Sequence, residues 1–335
     1  MKAFIIHRYG NNDVVQAAEM PEPELGDDDV LVQIHAASIN PVDFKIRNGL
    51  LKFILPFHFP LILGNDLAGV VLQVGSGVRH FQPGDEVYAR PPKNRIGAFA
   101  ERIAIREDAV AKKPETLTME EAASIPIPLV GLTAWQALVE RANLKFGQKV
   151  LIHAGSGGVG TFAIQLAKHL GATVATTTGT ANVDWVKRLG ADLVIDYKRE
   201  DFSQVLHDYD VVLDTLGDKT LETSLSVLKP GGKLISVSGP PDPDFAKEIG
   251  ANWMLAFAMR LLSWRIRARA KQQQVSYSFL FMRYSGDQLR EIAALIDSGI
   301  IHPVIDRVFP FESTREALAY VETGRAKGKV IVKVK

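Results

Sequence analysis

The 335-residue chain contains no cysteine. This absence excludes disulfides, thiolate nucleophiles and every metal site with a cysteine ligand, and it leaves the redox compartment undecided. An excess of charge of either sign is also lacking, because 39 basic and 38 acidic residues give a formal net charge of +1. We therefore expect no nucleic-acid partner attracted by a global field, and specificity must come from a local site.

Long apolar runs are lacking as well. The apolar part of the N-terminus is too short for the hydrophobic region of a secretory signal, and it predicts a first strand instead. A cytoplasmic location is the default expectation. The length of the chain predicts about two domains, each with its own hydrophobic core.

The chain does contain a glycine-rich turn between an apolar strand and an amphipathic helix. Gly155, Gly157 and Gly160 fit the pattern G-x-G-x-x-G, whose glycines permit a tight turn, the approach of a pyrophosphate and close packing of helix on strand. The N-terminus of the helix then offers free N–H groups to the phosphates. The predicted dinucleotide site consists of Gly155, Ser156, Gly157, Gly158, Val159 and Gly160.

Two sequence patterns divide the chain. Residues 1 to about 120 contain short strands separated by Gly, Pro and Asp clusters, which indicates a β-rich domain. From about 123 to 282 strands alternate with helices, which predicts an α/β Rossmann fold with a doubly wound parallel sheet. We expect the C-terminal part to complete the first domain. The predicted domains are 1–122 plus 283–335 and 123–282, and the strands predicted for the second are 149–154, 173–178, 192–196, 210–215 and 232–238.

One segment of the second domain stands apart because it has no acidic residue between Ile249 and Gly286. Its apolar run at 253–259 is accompanied by basic residues, which predicts an amphipathic insertion at about 243–274. The favoured interpretation is a helical insertion that covers a substrate cleft or a subunit interface. The alternative is a helix that lies on a membrane surface or binds a partner, since the run is too short to span a bilayer.

Seven motifs follow one another along the chain, at 37–43, 64–69, 74–75, 84–87, 131–134, the glycine turn and 228–232. In this order they resemble the medium-chain dehydrogenase/reductase superfamily along essentially the full length. Within it the chain is most similar to the zinc-independent quinone reductases and alkenal/enone reductases. Its final third, through 279–282, 301–305 and 324–329, is similar to the mitochondrial reticulon-interacting oxidoreductases. The resemblance implies a GroES-like β-rich catalytic domain beside the Rossmann domain, and a homodimer.

The chain departs from the zinc alcohol dehydrogenases of this superfamily. Asn40 stands where those enzymes have a cysteine ligand, and Asn65-Asp66 stands where they have a His-Glu pair. Without thiolates or paired histidines a tetrahedral zinc site cannot be assembled, so no metal is expected. The isolated histidines at 35, 58 and 80 are interpreted as ordinary surface or core residues.

The end of the second predicted strand, 175–182, lacks the acid that usually holds the ribose 2′-hydroxyl of NAD. It offers hydroxyl and amide groups instead, which favours the phosphorylated cofactor NADPH. The resemblance adds Tyr197, although Val183 stands where some quinone reductases carry a lysine. An NAD site would depend on Asp184, and the threonines are also simply good strand residues. The residues predicted to contact the 2′-phosphate region are Thr177, Thr178, Thr180, Asn182 and Tyr197.

Without zinc, the hydride acceptor must be activated by hydrogen bonds, which suits quinones and α,β-unsaturated carbonyls. Asn40 is predicted to hold the nicotinamide ribose or the acceptor oxygen, and Lys45 to donate to ribose or substrate. Asp43 either orients Lys45 or Arg47, or is a carboxylate at the start of a helix.

Further cofactor contacts are expected from two groups of residues. Thr215 and Ser238 lie at the carboxyl edge of the predicted sheet, where open α/β folds bind ligands. The resemblance adds Thr133, Phe281 and Lys329, with helix capping and core packing as the structural alternatives for the first two. The predicted function is an NADPH-dependent reductase of quinones or enones. The alternative is an NADPH-binding interaction or sensor protein with little catalysis that docks through 253–271.

Overall fold

The computed structural model describes residues 1–119 and 127–335. They form two compact units, Met1–Leu132 with Arg283–Lys335 and Thr133–Met282. The predicted domain boundary between 122 and 123 lies outside the described residues.

The strands, in chain order, are β1 (Lys2–Ile6), β2 (Gln16–Glu19), β3 (Asp29–Ile39), β4 (Leu61–Ile62), β5 (Leu67–Val74), β6 (Glu86–Ala89), β7 (Arg102–Arg106), β8 (Val110–Lys112), β9 (Lys149–Ile152), β10 (Thr173–Thr178), β11 (Leu193–Asp196), β12 (Tyr209–Asp214), β13 (Leu228–Ser236), β14 (Ser276–Phe279), β15 (Ile305–Pro310) and β16 (Lys329–Lys333).

The α-helices are α1 (Pro41–Arg47), α2 (Leu132–Trp135), α3 (Gly158–His169), α4 (Val183–Arg188), α5 (Phe202–Val205), α6 (Asp218–Ser224), α7 (Pro243–Glu248), α8 (Trp253–Leu262), α9 (Trp264–Gln272), α10 (Gly286–Asp297) and α11 (Thr314–Glu322). Turns of π-helix, Ile127–Gly131 and Gln136–Arg141, flank α2, and short 3-10 helices occur at Asn12–Val14, Glu107–Ala109, Thr180–Asn182, Leu225–Val227 and Phe311–Ser313. None of the helices in these residues is long and apolar enough to cross a membrane.

The first unit is built on a seven-stranded sheet in which β15, β16, β3, β5, β6 and β8 are successive neighbours and β7 also pairs with β3. The C-terminal strand β16 runs antiparallel to β3, with Val330 opposite Ile39. Alternating apolar residues of these strands form one face of a buried core that includes Val32, Ile34 and Val332. The C-terminal part thus completes the β-rich unit.

The second unit contains a six-stranded sheet of order β11-β10-β9-β12-β13-β14, and all its strand pairs are parallel. Its order reverses at β9, so that the glycine turn that follows β9 lies at the point where doubly wound folds bind ligands. The residues Val150, Leu151 and Ile152 are fully buried, as expected of a strand covered on both faces. The α/β Rossmann fold and the β-rich GroES-like fold are both confirmed.

Two details of this sheet differ from the sequence prediction. β13 begins at Leu228 rather than at 232, because a register shift between Tyr209 and Val211 of β12 accommodates the Lys-Pro-Gly-Gly turn within it. A sixth strand, β14, was not predicted, because a run of four residues is too short to be identified as a strand from periodicity alone. The basic segment forms the helices α7, α8 and α9.

Candidate functional site

Two glycines of the turn in the second unit are needed for packing within the protein, independently of any ligand. A Cβ atom on Gly155 would lie 2.2 Å from the Thr176 hydroxyl oxygen, and one on Gly160 would lie 2.3 Å from the Ala154 carbonyl oxygen. Ala154 adopts a φ of 53°, a left-handed conformation that costs a non-glycine residue roughly 1 kcal/mol. The turn is therefore tightly constrained by β9, β10 and α3.

Gly157 is different because its neighbours leave space around it. A Cβ atom there would meet only the Ala154 carbonyl oxygen, at 3.4 Å. Gly157 caps α3, a helix of 12 residues without a side-chain hydrogen bond at its N-terminus. Ser156 precedes this cap, and Gly158 and Val159 form the first turn of the helix. Its backbone N–H groups fit the phosphate groups of a dinucleotide.

The three threonines at the end of β10 have different environments. Thr176 donates its hydroxyl hydrogen to the Ile152 carbonyl at 2.6 Å. The Thr177 hydroxyl lies 3.1 Å from His153 Nδ1 and accepts from the Ala154 N–H at 3.3 Å. The Thr178 hydroxyl is buried and has no hydrogen-bond partner in the part of the chain that the structure describes. An unpartnered buried hydroxyl at this position fits a polar ligand.

The hydrogen bonds of His153 determine where the Thr177 proton points. Burial lowers the pKa of His153 to about 4, so the ring is neutral at pH 7. Ser224 donates to the Thr220 carbonyl at 2.7 Å, so it can only accept from His153 Nε2, at 2.8 Å. Nδ1 is then the acceptor and receives the Thr177 proton. In this arrangement Thr177 has no hydrogen left to donate to a 2′-phosphate. A contact between Thr177 and the cofactor stays a prediction.

The residues after β10 surround Gly179. A Cβ atom on Gly179 would lie 3.4 Å from the Tyr197 hydroxyl oxygen and 3.7 Å from Lys198 Cε. Tyr197 is 62% exposed. Thr180 donates to Asp196, and this hydrogen bond is the largest cause of the lowered pKa of that carboxyl.

The Asn182 Oδ1 accepts from Trp185 Nε1 at 3.0 Å, and this bond leaves both Nδ2 hydrogens of Asn182 available to a ligand. Sequence reasoning missed Lys198, although its position directly after Tyr197 is a usable signal. The structure thus brings Thr178, Tyr197 and Lys198 to one edge of the sheet.

The remaining predicted contacts of the second unit are buried or half-buried. Thr215 donates to the His153 carbonyl at 3.2 Å, and Ser238 donates to the Thr215 carbonyl at 2.9 Å, which ties together the ends of three strands. Thr133 is buried in α2. The ring of Phe281 packs 5.7 Å from that of Phe245.

In the first unit a buried ionic network contains three of the predicted residues. Lys329 Nζ donates to Asn40 Oδ1 at 2.6 Å, to Asp66 Oδ2 at 3.3 Å and to the Ile39 carbonyl at 3.2 Å. The Asn40 side-chain amide donates to Asp66 Oδ2 at 2.6 Å and to the Ser38 carbonyl at 3.4 Å. Lys329 and Asn40 have therefore used all their side-chain hydrogens within this network.

Asp43 occupies the other side of the same network. Its carboxylate accepts from the Asn40 backbone N–H at 2.6 Å and from Asn65 Nδ2 at 2.7 Å. Complete burial raises the pKa of Asp43 to about 7. Two buried atoms, Asp66 Oδ1 and Arg90 Nε, lack a hydrogen-bond partner within the described residues. Sequence reasoning missed the roles of Asp66 and Arg90 here.

Lys45 lies outside this network. It is half-buried on α1, and its ammonium has no hydrogen-bond or ion-pair partner within residues 1–119 and 127–335. Asp43 folds back onto the N-terminus of α1 and does not contact Lys45 or Arg47, because Arg47 pairs with Glu322 at 2.9 Å. The alternative interpretation of Asp43 as a helix-start carboxylate describes its contacts better.

Known families match both units. The sequence model of the alcohol dehydrogenase GroES-like domain matches residues 26–115, and that of a zinc-binding dehydrogenase matches residues 189–332. The chain is 37% identical to the mouse (Mus musculus) mitochondrial NAD(P)H oxidoreductase RTN4IP1, across 100% of this chain and 89% of that protein. It is 35% identical to the chloroplastic NADPH-dependent alkenal/one oxidoreductase of Arabidopsis thaliana, across 99% and 79%.

A solved structure agrees with these matches. The quinone oxidoreductase from Coxiella burnetii superposes with a TM-score of 0.87 at 33% identity, covering 100% of this chain and 99% of that one. The chain belongs to the medium-chain dehydrogenase/reductase superfamily. Within the superfamily it falls in the branch of quinone and enone reductases.

The residues of this medium-chain reductase at the positions of the zinc ligands do not fit zinc. Asn40 and Asp66 face the Lys329 ammonium, which lies 3.3 Å from the carboxylate and would repel a second cation. Within the described residues no group of three or more His, Cys, Asp or Glu side chains could hold a metal ion. The hydrogen-bond donors of this site include the Lys329 ammonium, the Asn40 amide and the Ser38 hydroxyl, all directed at Asp66 Oδ2.

Proposed function

We propose that this medium-chain reductase transfers hydride from NADPH to a quinone or an α,β-unsaturated carbonyl compound. The observation that carries the proposal is the open space at Gly157, at the uncapped N-terminus of α3, which fits a pyrophosphate. The names of the relatives, a quinone oxidoreductase and an alkenal/one oxidoreductase, support the acceptor class. NADPH supplies the hydride when bound.

The preference for the phosphorylated cofactor is supported by the surroundings of Gly179. Lys198 provides a positive charge beside the exposed Tyr197 hydroxyl, and Thr178 provides an unpartnered hydroxyl at the end of β10. Some quinone reductases carry a lysine where this chain has Val183. We propose that Lys198 replaces that lysine, since an ammonium binds phosphate as a point charge. Thr180 is already engaged by Asp196 and so supports the loop, whereas the Asn182 side chain keeps two amide hydrogens that can donate to the 2′-phosphate.

Lys45 is the proposed donor to the acceptor oxygen or to the nicotinamide ribose. Negative charge develops on that oxygen as hydride is added, and an ammonium within hydrogen-bond distance stabilises it. Lys329 and Asn40 have no hydrogens left for this role, whereas those of Lys45 are unused. Asn40, Asp43 and Lys329 are therefore proposed as positioning residues that fix the start of α1.

Rapid-mixing measurements of NADPH and NADH oxidation with a quinone and with a 2-alkenal test the proposal. Lys45→Ala should lower kcat/KM for the acceptor by about 100-fold. Lys45→Arg should restore part of this loss. The matched control is Lys52→Ala, because Lys52 is exposed and its ammonium lies over the Phe53 ring. No turnover with either acceptor class would refute the proposal.

The other candidate is a protein that binds NADPH and a partner with little catalysis. The large exposed side chains of Trp253, Phe257 and Leu261 on α8 favour it, and a measurement of turnover distinguishes the two candidates. A homodimer and a cytoplasmic location also stay predictions. Two of the relatives named above, RTN4IP1 and the alkenal/one oxidoreductase, are mitochondrial and chloroplastic. Light scattering would test the dimer, and cell fractionation would test the location.

A further inference from the structure

The outward face of α8 is apolar although it faces solvent. Trp253 is 78% exposed, Phe257 64% and Leu261 66%. The opposite face of the helix packs on its own unit through Met259, which is 1% exposed. A helix at the surface of a globular protein normally carries polar residues outward, and a helix that is apolar on all sides is normally covered.

The apolar surface continues beyond these residues to the start of α9. Met254 is 60% exposed, and Leu262 and Trp264 are each 65% exposed. We call the six residues the α8 patch: Trp253, Met254, Phe257, Leu261, Leu262 and Trp264. Six large apolar side chains, each at least 60% exposed and close together in sequence, form an apolar patch of the kind that marks an interaction site.

Unpaired cations surround the α8 patch. Arg260, Arg267 and Lys271 are exposed and have no ion-pair partner within the described residues. Two further arginines, Arg265 and Arg269, share the single carboxylate of Glu222, so this trio keeps one net positive charge. The surface therefore combines an apolar centre with a positive margin, and its occupant must supply apolar contacts and negative charge together.

A second copy of the chain does not meet this requirement. A two-fold interface places the same patch on both sides, so the unpaired cations of one copy would approach those of the other. An anionic bilayer supplies acyl chains for the apolar residues and headgroups for the cations. The tryptophans at the two ends of the patch suit the level of the headgroups.

We propose that α8 and α9 dock this protein onto the surface of a bilayer that contains anionic phospholipid. The helices lie in the plane of the membrane, because the 10 residues of α8 are about half of what a bilayer span requires. The apolar residues enter the boundary between headgroups and acyl chains, and Arg260, Arg267 and Lys271 contact the lipid phosphates. This docking does not depend on the proposed reductase activity.

Flotation of the full-length protein with vesicles tests the proposal. The vesicles contain phosphatidylcholine either alone or mixed with phosphatidylglycerol. We expect binding to the mixed vesicles only, weakened by salt and accompanied by a blue shift of tryptophan emission. Reversal of Arg260, Arg267 and Lys271 to Glu should weaken binding by roughly 100-fold or more, since each basic residue near the surface contributes about fivefold.

Two further variants keep the test specific. Phe257→Ser with Leu261→Ser should abolish binding, and its melting temperature shows that the protein still folds. The charge-matched control reverses Lys187, Arg188 and Lys219 to Glu, which are exposed elsewhere on the same unit, and should bind as the parent protein does.

Equal binding to the neutral vesicles, or binding to neither kind, would overturn the proposal. A dimer in solution that dissociates in the serine variant, without vesicle binding, would assign the patch to a second copy instead. Loss of vesicle binding in the charge-matched control would show that binding depends only on the net charge of the protein. That result would also contradict the proposal.

Discussion

Replacement of Asp43 by asparagine should change how stability depends on pH. Burial raises the pKa of Asp43 from 3.8 to about 7, so the folded chain keeps a proton that the unfolded chain has lost. The free energy of unfolding therefore falls as pH rises from about 4 to about 7. At about 1.4 kcal/mol for each pKa unit, this fall amounts to about 4 kcal/mol.

His153 acts in the opposite direction over much of the same range. Burial lowers its pKa from 6.5 to about 4, so the unfolded chain binds a proton that the folded chain excludes. Its contribution makes the protein more stable by about 3 kcal/mol as pH rises from about 4 to 6.5. The two contributions nearly cancel each other below pH 6.5, while burial also raises the pKa of Asp214, which adds a fall of its own as pH rises.

Two variants separate the contributions of Asp43 and His153 to the pH dependence of stability. Asp43→Asn leaves the rise due to His153, so its free energy of unfolding should increase from about pH 4 to 6.5. The Asp43→Asn variant should also be less stable than the parent protein at low pH. Its side-chain NH2 group replaces one of the two carboxyl oxygens, so the hydrogen bond from either Asn40 or Asn65 is lost. His153→Gln should show the reverse slope. Denaturant unfolding at a series of pH values measures both, and parallel profiles for Asp43→Asn and the parent would refute the reasoning.

Three further predictions concern the cofactor site. Gly157→Ala should have nearly the melting temperature of the parent protein, but calorimetry should show weaker binding of NADPH. Gly160→Ala should lower the melting temperature, because its Cβ atom would lie 2.3 Å from a carbonyl oxygen. Thr178→Val should not destabilise the protein without cofactor, since its hydroxyl has no partner there, but should weaken NADPH binding. Lys198→Ala should raise KM for NADPH by about 10-fold or more without changing that for NADH, and Lys187→Ala serves as its control. Equal effects on both cofactors would contradict the last assignment.

Features of the second unit that depend on local sequence were predictable. The glycine turn, the parallel sheet and five of its six strands follow from periodicity and turn residues that lie next to one another. The role of Thr177 was not predictable, because the direction of its proton depends on Ser224, 71 residues from His153.

Local sequence patterns also could not predict the ionic network of the first unit. It joins Asn40 to Asp66 across 26 positions and to Lys329 across 289, and it exists only because β16 pairs with β3. Sequence identified Asn40 and Lys329 separately, through a resemblance, but gave no indication that they meet.

The position of Lys329 has a consequence for the order of synthesis. Asp66 acquires this counter-cation from a residue made 263 positions later, after the whole of the second unit, Thr133–Met282, has been translated. A nascent chain can therefore complete the nucleotide-binding unit while the acids of the first unit still lack their lysine. In a nascent chain arrested after residue 282, we expect the second unit to resist protease and the first unit to be cleaved.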